Sequence, residues 1–464
     1  MLYPVEEKSH SMASAAPRLG GGLGVEVPVG NYTAGVVDSF PRANRIRSVE
    51  AAVSDRITES IAPVNQTTNQ KITDRYISFH IQGVEGTFVD LSSLGLELAL
   101  SLSKADGEAL NEDTNIVLVN GLLNTLFKNV QVYIGNKLVE SANMNSYTSY
   151  IKLLTHNKSH LVKMHQRLAY FFNDYRGSGC KDTFDDSYFA NLNQLEKKVI
   201  NSAKQNGLHL IGNLFLDTVS FDQYLLDNTD IKIKMELNND DWIMNSNAAQ
   251  TDVKLNINSA NLLIDKIIPR PSALLALHKS LTQPNAMLEY MYTNTLTRAY
   301  TLGLNQTTIS INNPFNACVP DRLFMVFMDM EAYNGSYTRN GIYFNHYNLN
   351  SLNVSLNGSA IYNINCKFPS DYSQLYYTTC KTLGLESDHL VHHDSFDKGR
   401  CVIALKFTPE HTEDTINLER NGNLKIDLKF DNPINKNIII LLMGETQATM
   451  NIDGSRTILN HVRG

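Results

Sequence analysis

Residues 129–140 read NVQVYIGNKLVE, and residues 352–363 read LNVSLNGSAIYN. In the first stretch Val130, Val132 and Ile134 alternate with polar residues before Gly135 and Asn136; in the second Leu352, Val354 and Leu356 do so before Asn357 and Gly358. A period of two places each apolar set on one face of a strand. Gly-Asn and Asn-Gly supply the left-handed backbone of a tight two-residue turn, so each stretch predicts a β-hairpin. A helix-like segment follows each hairpin: Tyr147, Tyr150, Ile151 and Leu154 in one case, Tyr372, Leu375, Tyr376 and Thr379 in the other.

A second pair of landmarks lies further on. DIKIKMELN at residues 230–238 parallels NLKIDLKFD at residues 423–431, with apolar positions matched one for one. Val130 matches Leu352 at an offset of 222, whereas Ile231 matches Leu424 at 193, so the first half carries 29 extra residues between its landmarks. An internal repeat of this kind fixes architecture before any motif does. The extra residues are expected within 155–207, where Tyr170, Phe171, Phe172, Tyr175, Phe184, Tyr188 and Phe189 crowd a polar context. A structured loop projecting from the first half is the expectation, its tip at an outer rim together with residues 384–397.

Working outward, most of the chain from Tyr76 onward shows the same period. Leu94, Leu96, Leu98, Leu100 and Leu102 alternate with small or polar residues, as do Val253, Leu255 and Ile257. Many short strands separated by turn signals predict sandwiches, and 464 residues exceed what one core organises. The expected fold is all-β: two tandem eight-stranded jelly-roll sandwiches with short helices and an N-terminal arm. The arm covers residues 1–70, the first roll 71–268 and the second 269–464. Between the rolls Pro269 and Pro271 end a strand and open a short helix, and Leu274, Leu275 and Leu277 are expected to pack in the joint. Such a connection holds its two domains in fixed orientation. Within the arm Ile46, Val49, Val53, Ile57 and Ile61 recur at three and four residues, which predicts an amphipathic helix over about 45–62. It would cover the base of the first roll, or dock on a partner subunit or an inner membrane through Arg42, Arg45 and Arg47.

Composition removes several function classes. A formal net charge of −7 argues against a dedicated nucleic-acid binder. The five cysteines, Cys180, Cys318, Cys366, Cys380 and Cys401, contain no CxxC pair, which argues against structural zinc and a disulfide framework. No nucleotide-binding GxxxxGK run occurs, and Asp388, His389, His392, His393 and Asp394 read as a solvated loop rather than a metal site. No catalytic residue, cofactor or metal is expected.

The runs NGLLNTLFKNVQVYIGNKLVE, PRPSALLALHKSL, MVFMDMEAYNGSY, LNVSLNGSAIY and NGNLKIDLKFDNPI together resemble the major capsid proteins of Polinton (Maverick) elements and adintoviruses. The similarity spans about residues 75 to 460 and leaves the arm unmatched. It implies a double jelly roll of the adenovirus hexon kind. It implies a homotrimer forming a pseudo-hexagonal capsomer of an icosahedral virion shell around double-stranded DNA, without sequence-specific binding. The partners it implies are further copies of the chain, a penton or minor capsid protein and an adenovirus-type maturation protease. Whether an inner membrane is present stays open. LGGGL at residues 19–23 fits the site such proteases cut, with cleavage after Gly22; it reads equally as a flexible tether. Two alternatives stand beside the virion reading: a domesticated capsid whose particles serve the host, and a jelly-roll carbohydrate-binding protein.

Overall fold

The computed structural model describes residues 52–65, 72, 74–111, 114–155, 168–172, 181–191, 194–249, 251–283, 286–384, 389–408 and 420–461. The LGGGL run with Gly22 lies outside them, as do Ile46 and Val49.

The first half contains β1 (Val53–Ile61), β2 (Tyr76–Ile81), β3 (Phe88–Lys104), β4 (Ile116–Leu118), β5 (Phe127–Ile134), β6 (Lys137–Asn143), β7 (Leu208–Asn213), β8 (Ile231–Leu237), β9 (Met244–Ser246) and β10 (Val253–Pro269). The second contains β11 (Met287–Leu302), β12 (Thr308–Asn312), β13 (Cys318–Val319), β14 (Arg322–Asp329), β15 (Leu349–Leu356), β16 (Ser359–Asn365), β17 (Ile403–Lys406), β18 (Arg420–Asn421), β19 (Leu424–Phe430), β20 (Ile438–Asp453) and β21 (Ile458–His461). In the first half the sheets run β1-β10-β3-β7 and β2-β8-β5-β6; in the second they run β11-β20-β14-β17 and β12-β19-β15-β16. Setting aside the short β4, β9, β13, β18 and β21, the strand order in the two halves is identical. Each pairs its first strand with its last and its second with its seventh, which is the jelly-roll winding.

The duplication extends to irregularities. Two-residue turns close both hairpins: Gly135 has φ 59°, and Asn357 and Gly358 have φ 52° and 83°, the left-handed pair of a type I′ turn. The β5–β6 ladder slips one residue between Val132 and Tyr133, and the β15–β16 ladder slips between Val354 and Ser355. A second slip falls between Phe127 and Asn129 against β8, and between Leu349 and Ser351 against β19. These bulges coincide under the 222 and 193 offsets, so Val130 opposite Met235 becomes Leu352 opposite Leu428. Bulges are retained where they set twist and register.

Apolar alternation becomes core. Val130, Val132, Ile134, Ile231, Ile233 and Met235 are fully buried, as are Leu352, Ile426 and Ile440. Burying each such side chain is worth about 1.5–3 kcal/mol. The aromatic helices form as Asn145–Thr155 and Ser373–Leu383.

One expectation is overturned: from Val53 the segment expected to be helical is β1, antiparallel to β10. The apolar residues Val53, Ile57 and Ile61 lie four apart, which satisfies both a 3.6 and a 2.0 period. β-Branched side chains and the waiting edge of β10 select the strand. The first roll therefore begins well before residue 71, because without β1 its outer sheet would lack its edge.

Candidate functional site

Residues 51–464 form one compact unit, and the two rolls within it meet at three levels. At the first, the linker helix Pro271–Leu281 starts with Pro at its first turn. It directs half-buried Leu274 toward Gly86 of the first roll and Leu281 toward Gly454 of the second. Leu277 also packs against the core, but Leu275 is 72% exposed. That corrects one of the three expected packing residues: at helical spacing Leu274, Leu277 and Leu281 share a face and Leu275 does not. Nearby, fully buried Asp227 accepts Arg456 of the second roll at 2.6 Å and the Gly86 N–H at 2.8 Å, and lies 3.3 Å from His278 Nε2 of the linker helix.

The second level is ionic. Glu140 on β6 accepts the N–H groups of Asp217 and Thr218 at 2.8 and 2.9 Å. Lys152 reaches Asp217 at 2.7 Å, and Asp217 accepts both the N–H and the hydroxyl of Thr295 on β11, at 2.7 and 2.6 Å. Arg322 pairs with Glu445 at 2.8 Å beside them. Burial, then the neighbouring Asp217 charge, push the Glu140 carboxyl up to about 7. Burial pulls the Lys152 ammonium down, yet the charges of Asp217, Glu445 and Glu140 outweigh it and the net shift is upward.

This level also covers a strand edge. Along β11 the N–H groups of Met291, Thr293 and Thr295 donate to Asp222 Oδ1, Ser220 Oγ and Asp217 Oδ2 at 3.0, 2.8 and 2.7 Å, and Asp222 N–H returns a bond to Met291 O. Residues 217–222 of the first roll thus stand in for a neighbouring strand. An unpaired strand edge otherwise invites association.

The third level corrects the projecting loop. Tyr170, Phe171, Phe172 and Phe184 are buried, and Tyr188 nearly so, while Tyr175 lies outside the described residues. Residues 170–172 and 182–184 of the insertion pack into the joint instead of standing off it, while the helix Gln194–Gln205 packs on the first roll. Phe184 N–H donates to Thr338 O at 3.2 Å, Asn340 N–H to Asp182 O at 3.0 Å, and Arg339 pairs with Asp182 at 3.2 Å. Arg400, fully buried, donates to Phe172 O at 3.2 Å and sits over the Phe171 ring. Tyr147 stacks on Tyr333 and accepts the Trp242 indole N–H at 3.0 Å. Gly341 lies so close that a Cβ there would stand 2.6 Å from the Trp242 nitrogen. Aromatic rings crowded in one stretch signal burial as much as display, and burying Tyr170, Phe171, Phe172 and Phe184 removes apolar area from water.

β1, the counterpart of β11, differs. Its inner edge pairs with β10, and Arg56 reaches across to Asp265 at 2.7 Å and also contacts Asp90. On its outer edge no hydrogen bond occurs among the described residues, and Ile57 is 53% exposed.

The His-Asp cluster does not gather. Asp388 lies outside the described residues, His392 and His393 are exposed, and His393 stacks on Tyr372 at 5.0 Å between centroids. Among the described residues no group of three or more His, Cys, Asp or Glu side chains could hold a metal ion. No described helix is long and apolar enough to cross a membrane.

Comparison with solved structures places this architecture. A chain of the Sputnik virophage structure superposes with a TM-score of 0.60 over 93% of this chain and 94% of its own, at 10% identity. The fold is a double jelly roll. VP54 of PBCV-1 matches over 89% of this chain and 99% of its own, with TM-score 0.54 and 12% identity. The Faustovirus major capsid protein matches over 89% and 92%, with TM-score 0.50 and 9% identity. No family model matches the sequence. An uncharacterized protein of Caenorhabditis elegans, F54H12.2, is 21% identical over 324 residues, covering 67% of this chain and 74% of its own length.

Proposed function

We propose that the chain is a major capsid protein that trimerises into a pseudo-hexagonal capsomer and tiles an icosahedral shell around double-stranded DNA. The observation that carries this is the unequal treatment of β1 and β11. Within one chain the first roll covers the outer edge of β11, while no described residue covers the outer edge of β1. A second copy that sets its second roll against β1, much as the first roll meets β11, repeats the contact around a ring. Three chains then close six similar walls without a free edge. The fold shared with the Faustovirus major capsid protein supports the same reading.

In the virion lineage that the sequence resembles, the Polinton and adintovirus group, the further partners are a penton or minor capsid protein and an adenovirus-type protease. Cleavage after Gly22 by that protease would appear as an intact mass lacking residues 1–22. A mature particle still carrying Met1 would refute it. The nematode relative favours a second reading, in which the gene resides in an animal genome and its shells serve the host. Sequencing the nucleic acid inside purified particles separates the two readings.

The test of assembly is mass by light scattering together with negative-stain microscopy of the full chain. Trimers and hexagonal capsomers are expected. A folded monomer at every salt concentration overturns the proposal.

A further inference from the structure

The loops at one end of the second roll enclose a cleft of about 580 Å³, within the range of small-ligand sites. Its walls come from the loop before β15 (Tyr343, His346, Tyr347, Asn348), Asp397, and residues 432–436 between β19 and β20. The walls are fixed before any ligand arrives. Asn345 N–H donates to Phe327 O, Asp431 N–H to Asn348 O, and Ile434 N–H to Gln306 O, at 3.0, 2.9 and 3.0 Å. Tyr347 and Asn348 are consecutive residues in the left-handed region, at φ 46° and 56°, a conformation that non-glycine residues adopt at a cost and that clusters at binding sites. Asn348 N–H donates to His346 Nδ1 at 2.9 Å, and the imidazole stacks on Phe368 at 4.2 Å, which locks the ring against the cleft wall.

The lining chemistry selects the ligand. The side-chain amides of Asn348, Asn432 and Asn435 carry no hydrogen bond to other described residues. An amide offers a donor and an acceptor side by side, which matches adjacent hydroxyl groups that also both donate and accept. Asp397 adds an acceptor, and Tyr343 adds aromatic surface for the C–H face of a ring. The cation in the lining, Lys436, is already engaged by Asp329 at 2.6 Å and lies over the Tyr347 ring, so an anion would find no free charge. We propose that this cleft is a binding site for a neutral glycan, one or two pyranose rings in size. The site is complete within one chain, so it stands or falls separately from the assembly reading.

The assay is a glycan array with the full chain, followed by saturation-transfer NMR and titration with the neutral oligosaccharides that bind. Neutral hexose or N-acetylhexosamine glycans are expected to bind, with affinity falling about tenfold or more in Asn348→Ala, the effect of losing a well-made hydrogen-bond pair. Asn432 is exposed at the mouth, so Asn432→Trp should block the cleft while leaving the thermal midpoint unchanged. Binding confined to sialylated or sulfated glycans, no binding at all, or binding that survives Asn432→Trp overturns the proposal.

Discussion

β1 and β11 hold the same place in their respective rolls and meet opposite fates. β11 has its outer N–H groups bonded by Asp217, Ser220 and Asp222 of the preceding roll, while β1 has nothing described on its outer side. Composition separates them in part: β1 carries one Thr and the charged Asp55, Arg56 and Glu59, whereas β11 carries four Thr. Connectivity explains the rest: residues 217–222 lie between β7 and β8 of the first roll, directly ahead of the second roll in the chain, and no described residue stands in that relation to β1. Among the described residues, the duplicated roll thus has one edge that the chain covers and one that it does not.

The strongest way to break the covered side is Lys152→Met. It leaves Asp217 and Glu140 together in the joint without their cation, and urea unfolding is expected to show a loss of about 3–5 kcal/mol. Next in size is pH. The Glu140 carboxyl stands at about 7 in the folded chain, above its ordinary range, so its proton is held more tightly folded than unfolded. The stability this proton brings is fully present below about pH 4.5 and is lost as pH rises to about 7, a swing of order 2–3 kcal/mol. Glu140→Gln should flatten that part of the stability curve, although the amide can accept only one of the two N–H bonds. Gly341→Ala forces a methyl onto Trp242 and should lower stability by about 1–3 kcal/mol, with a change in Trp fluorescence. Thr295→Val removes one hydroxyl bond to Asp217 and should cost about 1 kcal/mol. The smallest effect on the single chain belongs to the open side. Ile57→Lys is expected to shift monomer stability by less than about 0.5 kcal/mol while abolishing trimers in light scattering. If Ile57→Lys unfolded the chain or left trimers intact, the contrast between the edges would be wrong.

The hairpins at Gly135 and Asn357 were legible in the sequence because turn chemistry and a period of two agree there and nothing competes. Val53, Ile57 and Ile61 misled because a spacing of four fits either period, and the partner that decides, β10, lies 209 residues away at Asp265. Tyr170 to Phe172 misled for another reason: a run of rings in polar company looks displayed until a second domain supplies Arg400 against Phe171 and Phe172. The ionic joint was out of reach altogether. Glu140, Lys152, Asp217 and Thr295 lie up to 155 positions apart, each ordinary in its own stretch, and only the docking of two rolls excludes the water that would weaken them.

The order of synthesis gives the covered edge a temporal meaning. Asp217 precedes Thr295 by 78 residues, so the segment that shields β11 has left the ribosome before β11 emerges, and the nascent edge meets its cover at once. β1 is the first of the described strands to leave the ribosome. A ribosome-stalled chain carrying both rolls should therefore already protect the outer N–H groups of Met291, Thr293 and Thr295 from pulsed hydrogen exchange.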